Sequence, residues 1–283
     1  VNAMKRLAIY AHYDSNNEIK AFIKYYLKSL KEHCSRIDFI STSSLSSSEL
    51  SKVESYCDSL ITKKNEGYDF GMWKHALTKI DLSDYDELLL TNSSILGPIT
   101  PLSTMFEKMS SINCDFWGIT DNYEHTWHLQ SYFLVFRRKV LVSDAFKNFW
   151  DCVFPYTDKW QIIRSYELGL TTYFIQNGFQ AKAYISASEL FPEWSFNLLY
   201  RFQPSNPTCF YPLRCLHKGM PFVKVEVLRD NPGRVPLGPV YRTLEKRGYD
   251  LSLIEFDRPT KLRRNFTKFV KRKIKWFLLK IRN

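Results

Sequence analysis

The chain has 283 residues, 45% hydrophobic and 24% charged, which is enough to bury a large core and too apolar for general disorder. Its net charge of +11 invites a nucleic-acid reading, but ten Lys or Arg and no Asp or Glu lie between Thr260 and Asn283, leaving 30 basic against 29 acidic residues before them. The body is therefore close to neutral, and the excess charge belongs to the tail.

Six cysteines, Cys34, Cys57, Cys114, Cys152, Cys209 and Cys215, are scattered without paired C-x-x-C spacing. Reduced cysteines in a cytosolic protein are expected rather than a zinc site or a disulfide framework. The opening residues lack the charged, apolar and small-residue pattern of a secretory leader, and no run of about 18 apolar residues could span a bilayer.

In chain order, Leu7–Tyr13 reads as a first strand, residues 18–32 as an amphipathic helix, and Arg36–Ser41 as a second strand. A Ser-rich loop and a helix lead to a third strand at Asp58–Thr62, then a helix over Phe70–Ile80 and a fourth strand at Glu87–Thr91. A helix over Pro101–Met109 and a fifth strand at Asp115–Thr120 follow. This alternation predicts an α/β fold with a doubly wound, mostly parallel sheet flanked by helices. Leu129–Phe136 reads as one further strand with no helix before it, which brings antiparallel pairing into a mixed sheet. Helices are expected over 140–150 and 166–177, and irregular structure rich in Pro and aromatics over 191–239. One domain spans 4–259 and a basic amphipathic helix spans 260–283. No glycine-rich phosphate loop is present.

The most informative stretch runs from Tyr68 to Pro98. A hydrophobic strand, Glu87-Leu88-Leu89-Leu90, gives way to Thr91-Asn92-Ser93-Ser94 and a Gly-Pro pair, as an open α/β sheet presents a ligand site at its carboxyl edge. Upstream, Gly67-Tyr68-Asp69-Phe70-Gly71 permits a tight turn into a helix whose free amides suit a nucleotide diphosphate or its sugar. Asp69 is equally a helix cap, and the two roles can coexist. The strand end at Asn92 carries no carboxylate pair, and Asn and Ser oxygens are poor ligands for a hard cation. No metal is therefore expected, and the cations that offset a diphosphate would come from Arg201, Lys218, Lys224 or Arg229.

The motifs Tyr68-Asp69-Phe70-Gly71, Asn92 to Pro98, His128-Leu129-Gln130-Ser131-Tyr132-Phe133, Glu167-Leu168-Gly169-Leu170-Thr171 and Pro221 to Glu226, in that order, resemble the rhamnan synthesis F family over about Lys5 to Pro232. The resemblance implies a bacterial polysaccharide or lipopolysaccharide glycosyltransferase with a GT-A-like fold. It implies a nucleotide-sugar donor, with dTDP-L-rhamnose the leading one, and no further cofactor. The acceptor it implies is a lipid-linked growing glycan. Tyr68, Asp69, Gly71, Asn92, Ser93, Ser94, Gln130, Ser131 and Lys224 are the expected donor-binding residues. Family members often carry Asp where this chain has Ser93, a departure that points to a different donor or a different hold on it.

Inverting transfer needs one base for the acceptor hydroxyl. Glu167, opening a helix after a loop, ranks first, Asp121 just past the fifth strand second, and His128 third; each has a plain structural role as its rival. Alternation along 128–133 would place His128, Gln130 and Tyr132 on one face. Trp73, Trp117, Trp127 and Trp194 are each core residues or sugar-stacking rings.

In the tail, Phe266, Phe269, Val270, Ile274, Phe277, Leu278 and Ile281 form one helical stripe among Lys and Arg, with Trp276 near its boundary. That pattern fits a helix lying in an anionic membrane surface, at about 1 kcal/mol per basic residue. Packing against the body or a partner, or binding nucleic acid, is the rival, and a continuous apolar stripe disfavours the last. The expected location is thus cytoplasmic, peripheral on the inner face of the bacterial membrane, near other polysaccharide-assembly enzymes. The competing function is a catalytically inactive membrane-associated scaffold of such an assembly.

Overall fold

The computed structural model describes residues 4–193, 196 and 205–256. Strands β1 (Arg6–His12), β2 (Arg36–Ser41), β3 (Ser59–Thr62) and β4 (Glu87–Asn92) are parallel in the order β3-β2-β1-β4. Helices α1 (Ala21–Lys31), α2 (Ser47–Ser51) and α3 (Tyr68–Leu77) connect them. The sheet grows first to one side of β1 and then to the other, so the strand order reverses between β1 and β4. A crevice opens at the carboxyl ends of the strands on either side of such a switch.

Beyond β4, β5 (Ile95–Leu96) leaves the main sheet, α4 (Leu102–Ser110) follows, and β6 (Phe116–Asn122) returns parallel to β4. Between them lies β8 (Phe133–Arg137), antiparallel to both. β7 (His128–Leu129) pairs with the far end of β6, and β9 (Ala181–Ile185) runs parallel to β6, completing an eight-stranded mixed sheet. Helices α5 (Arg138–Leu141), α6 (Asp144–Asp151), α7 (Lys159–Ile162) and α8 (Leu168–Gln176) precede β9.

Side chains alternate across the sheet. Leu7, Ile9 and Ala11 of β1 pack on one face with α3, α6 and α8, and Ala8 and Tyr10 pack on the other with α1 and α4. Both faces are covered, which is why β1 and β4 read as continuous apolar runs. The doubly wound mixed α/β class expected from the sequence is the class observed.

The single strand expected at Leu129–Phe136 is two. Leu129 faces Asp121 and Leu134 faces Gly118, so the four residues 130–133 stand opposite only Ile119 and Thr120. Two extra residues bulge from the ladder and break the alternation; Tyr132 and Phe133, neighbours in sequence, belong to the same core. Bulges re-aim side chains in this way beside functional sites.

The region expected to be irregular, 191–239, contains helices Pro207–Phe210, Pro212–His217 and Val225–Arg229, begun in two cases by Pro at a first-turn position. It also supplies β10 (Val223–Lys224), antiparallel to β5. All six cysteines are free. The expected tail helix over 260–283 lies outside the described residues, as do Trp194 and Arg201. Among the described residues, no helix is long and apolar enough to cross a membrane.

Candidate functional site

The site is a polar lip at the carboxyl ends of β1 and β4. Its first side is built by the turn into α3. Gly67 and Tyr68 both take left-handed backbone conformations, at φ +80° and +53°. For a tyrosine this costs on the order of 1–3 kcal/mol, and such strain concentrates at functional sites. The Tyr68 hydroxyl donates to the Thr157 carbonyl at 3.3 Å. A Cβ on Gly71 would stand 1.8 Å from the Glu66 carbonyl oxygen, so no other residue fits there.

This turn delivers Asp69 to the end of β4. Asn92 Nδ2 donates to Asp69 Oδ2 at 2.8 Å, while Asn92 Oδ1 accepts from the Ser94 amide at 3.1 Å and the Ser94 hydroxyl at 2.6 Å. The β5–β10 pairing sets Lys224 against Ile95, and Lys224 Nζ donates to Ser94 Oγ at 3.2 Å while standing 4.3 Å from the centre of the Tyr132 ring. A hydrogen-bonded chain thus runs Asp69, Asn92, Ser94, Lys224. Burial pushes the Asp69 carboxyl up to about 6, against the Asn92 hydrogen bond and the Lys224 and Lys159 charges, with the Glu167 charge raising it further. Ser93 turns away: its hydroxyl donates to the Tyr13 carbonyl at 3.4 Å, and the Tyr13 amide approaches the same oxygen at 3.3 Å. Ser93 thus ties β4 to β1.

Beneath the lip, Thr91 Oγ1 donates to the Tyr132 carbonyl at 3.0 Å and so accepts from Tyr26 at 2.9 Å. Thr120 Oγ1 donates to Gln130 Oε1 at 2.7 Å and so accepts from the Tyr132 hydroxyl at 2.7 Å. Gln130 is therefore committed to the bulge it belongs to, and Ser131 sits half-buried at its turn. At the end of β1, His12 Nδ1 lies 2.8 Å from Ser41 Oγ, and burial lowers its pKa to about 4, so the ring is neutral at pH 7.

The three candidate bases occupy different surroundings. Glu167 ends a π-turn, Ile163–Glu167, that joins α7 to α8, a local distortion frequent at functional sites. Its carboxylate accepts no hydrogen bond among the described residues, and its charge reaches Asp69. Asp121 is buried and accepts from the Ala187 amide at 2.6 Å, Trp127 Nε1 at 2.9 Å and Ser186 Oγ at 2.9 Å; burial raises its pKa against these bonds. It clamps the turn after β9. His128 is buried opposite Asn122, its Nδ1 donating to the Thr126 carbonyl at 2.9 Å.

Of the expected cations, Lys224 lies in the lip, Arg229 is paired with Asp230 at 2.7 Å, and Lys218 is exposed at a helix end. Lys159, which acts on Asp69, was not anticipated; only its place before the Glu167 motif hinted at it. Trp73 and Trp117 are core residues, and Trp127 is the Asp121 donor. Among the described residues the lip offers one carboxylate, Asp69, already accepting from Asn92 and in the field of Lys224. That donor set does not fit a hard divalent cation. Among the described residues no group of three or more His, Cys, Asp or Glu could hold a metal. Cavities of about 430 and 480 Å³ open at the other, amino edge of the sheet, beside Leu82 and Lys147 and beside Arg36 and Tyr85.

These features define an open α/β protein whose polar residues converge on the carboxyl edge at the strand-order reversal. Residues 37–272 match the family described as rhamnan synthesis protein F, and the chain belongs to that family. It is 31% identical to the virulence protein VirA of Vibrio anguillarum over 213 residues, 67% of this chain and 68% of that protein. An uncharacterized protein y4gN of Sinorhizobium fredii is 30% identical over 134 residues, 45% of this chain and 35% of the relative. Among solved structures, the chain is similar to the glycosyltransferase GlyE of Streptococcus pneumoniae, with a TM-score of 0.46 and 16% identity over 94% of this chain and 64% of GlyE.

Proposed function

We propose that the chain is a glycosyltransferase whose donor is a nucleotide sugar seated on the Asn92 lip without a metal. Family membership supports the sugar-transferase role. The observation that carries the seating is Lys224, brought by β10 to within 3.2 Å of Ser94 at a strand end that lacks the carboxylate pair a cation would need. An ammonium there offsets diphosphate charge in the metal's stead. Rhamnose is the sugar suggested by the family's description, with dTDP its proposed carrier and a lipid-linked cell-surface glycan the proposed acceptor.

In the proposed reaction an acceptor hydroxyl oxygen attacks the anomeric carbon, and the bond to the diphosphate breaks with its electron pair leaving on the phosphate oxygen. The hydroxyl proton passes to a carboxylate on the opposite face, giving inversion in one displacement. Glu167 is the favoured base because its carboxylate accepts no hydrogen bond among the described residues, whereas Asp121 holds three protein donors. Asp69, titrating near neutrality beside it, positions Asn92 and sets the local charge. The basic tail would hold the enzyme on the inner face of the cytoplasmic membrane, among partner enzymes.

One observation favours the scaffold reading: the amide of Asn92 and the hydroxyls of Ser93 and Ser94 all have protein partners. A thermal-shift panel of dTDP, UDP and GDP sugars separates the two. Stabilisation by one of them, lost in Lys224→Met, is expected for the enzyme; no stabilisation by any overturns it.

A further inference from the structure

Glu255 and Phe256, the last described residues before the basic tail, are fastened to the start of α1. Glu255 Oε2 accepts from the Ala21 amide at 2.8 Å, capping a helix that has no side-chain cap of its own, and Phe256 meets Phe22 edge-on at 5.8 Å. Tyr249 meets Tyr25 in the same way at 5.6 Å. α1 follows β1, so its first residue lies at the carboxyl edge of the sheet. The segment after Phe256, with eleven Lys or Arg, therefore begins at the edge that bears the lip.

The same edge is crowned with exposed rings. Tyr13, 56% exposed, follows the end of β1. Phe154, 60% exposed, and Trp160, 38% exposed, flank the segment that packs over Gly67 and holds the Tyr68 hydroxyl. Among the described residues these are three of the four exposed aromatic side chains, and the fourth, Tyr25, belongs to the tail's anchor. Aromatic rings beside a cationic segment are what the boundary between anionic headgroups and acyl chains accepts.

We propose that the carboxyl edge docks on an anionic lipid bilayer, with Tyr13, Phe154 and Trp160 entering the headgroup boundary beside the tail, so that the Asn92 lip faces the membrane. This extends the transferase reading and rests on it for its purpose: a lipid-linked acceptor reaches a site turned toward the bilayer and not one turned away.

The test uses the full chain with Cys152→Ser and a single environment-sensitive label on Asn16→Cys at the carboxyl edge or on Ser83→Cys at the amino edge. Vesicles are phosphatidylcholine alone or with about one part in three phosphatidylglycerol. On the anionic vesicles the label at 16 is expected to shift to the blue and be quenched by nitroxide lipid, while the label at 83 does neither. Phe154→Ser with Trp160→Ser is expected to weaken vesicle retention roughly tenfold with dTDP binding unchanged. Equal behaviour of the two labels overturns the orientation. So does a double variant that is retained like the parent but needs far more acceptor for transfer, which would make the rings a glycan platform. Failure to bind vesicles while dTDP still binds sinks this proposal alone, whereas failure to bind any nucleotide sugar sinks the transferase reading.

Discussion

Asn92 Nδ2 donates at 2.8 Å to Asp69, joining the end of β4 to the first turn of α3 and leaving Asn92 Oδ1 to gather both polar groups of Ser94. One side chain thereby fixes the distance between helix and strand end and ties Ser94 to both.

The turn that delivers Asp69 depends on Gly71. Gly71→Ala sets a methyl group 1.8 Å from the Glu66 carbonyl, so the turn must move. Loss of about 2 kcal/mol or more is expected by urea unfolding. Stability equal to the parent would show that the close approach is not maintained.

Removing the lip's ammonium while keeping its apolar stem should act on donor affinity and not on folding. Lys224→Met is expected to raise the dissociation constant for a nucleotide sugar about tenfold or more, measured by calorimetry, with melting temperature nearly unchanged. Equal affinity would detach Lys224 from the diphosphate.

Glu167→Gln keeps shape and removes the proton acceptor. Transfer is expected to fall at least about a hundredfold in kcat, with donor affinity preserved. Full activity would pass the role to Asp121 or His128.

Asp69 gives a pH signature. Its carboxyl is raised from 3.8 to about 6 in the folded chain, so the native state holds this proton more tightly than the unfolded state does. The stability this confers is fully present below about pH 4 and is lost as pH rises through about 6. Asp69→Asn stays neutral throughout. Its melting temperature relative to the parent is therefore expected to climb between pH 4 and 6 and to level off above 7; a flat difference would place the Asp69 pKa at its ordinary value.

Much of the sheet was legible because β1 and β4 are largely apolar on both faces, β2 carries Ile37, Phe39 and Ile40 into the two cores, and helices with their own periodicity separate the strands. What misled was local reading of tertiary features. The stretch 129–136 looks like one strand because nothing in its residues marks a bulge; only the offset pairing against Ile119 and Thr120 reveals it. β10 is two residues long, and its identity comes from a partner, β5, far away in sequence. At the site, Asn92 and Asp69 stood out as a polar break after an apolar strand and an acid after a glycine turn. Lys224 was one cation among four by residue type, and only the resemblance carried by the motif Pro221 to Glu226 singled it out. Nor could sequence show that Asp121 is spent on the backbone of Ala187 and the side chains of Trp127 and Ser186.

Ser94 and Lys224 are 130 positions apart. A growing polypeptide released from the ribosome as far as β9 has every residue of the main sheet, yet its crevice still lacks the ammonium group, which arrives only when β10 emerges and zips onto β5. Acquisition of a charge-balanced crevice therefore waits on the chain that follows the sheet, and truncations ending before residue 224 would forfeit it together with core residues such as Val227, Leu228, Val240 and Leu244.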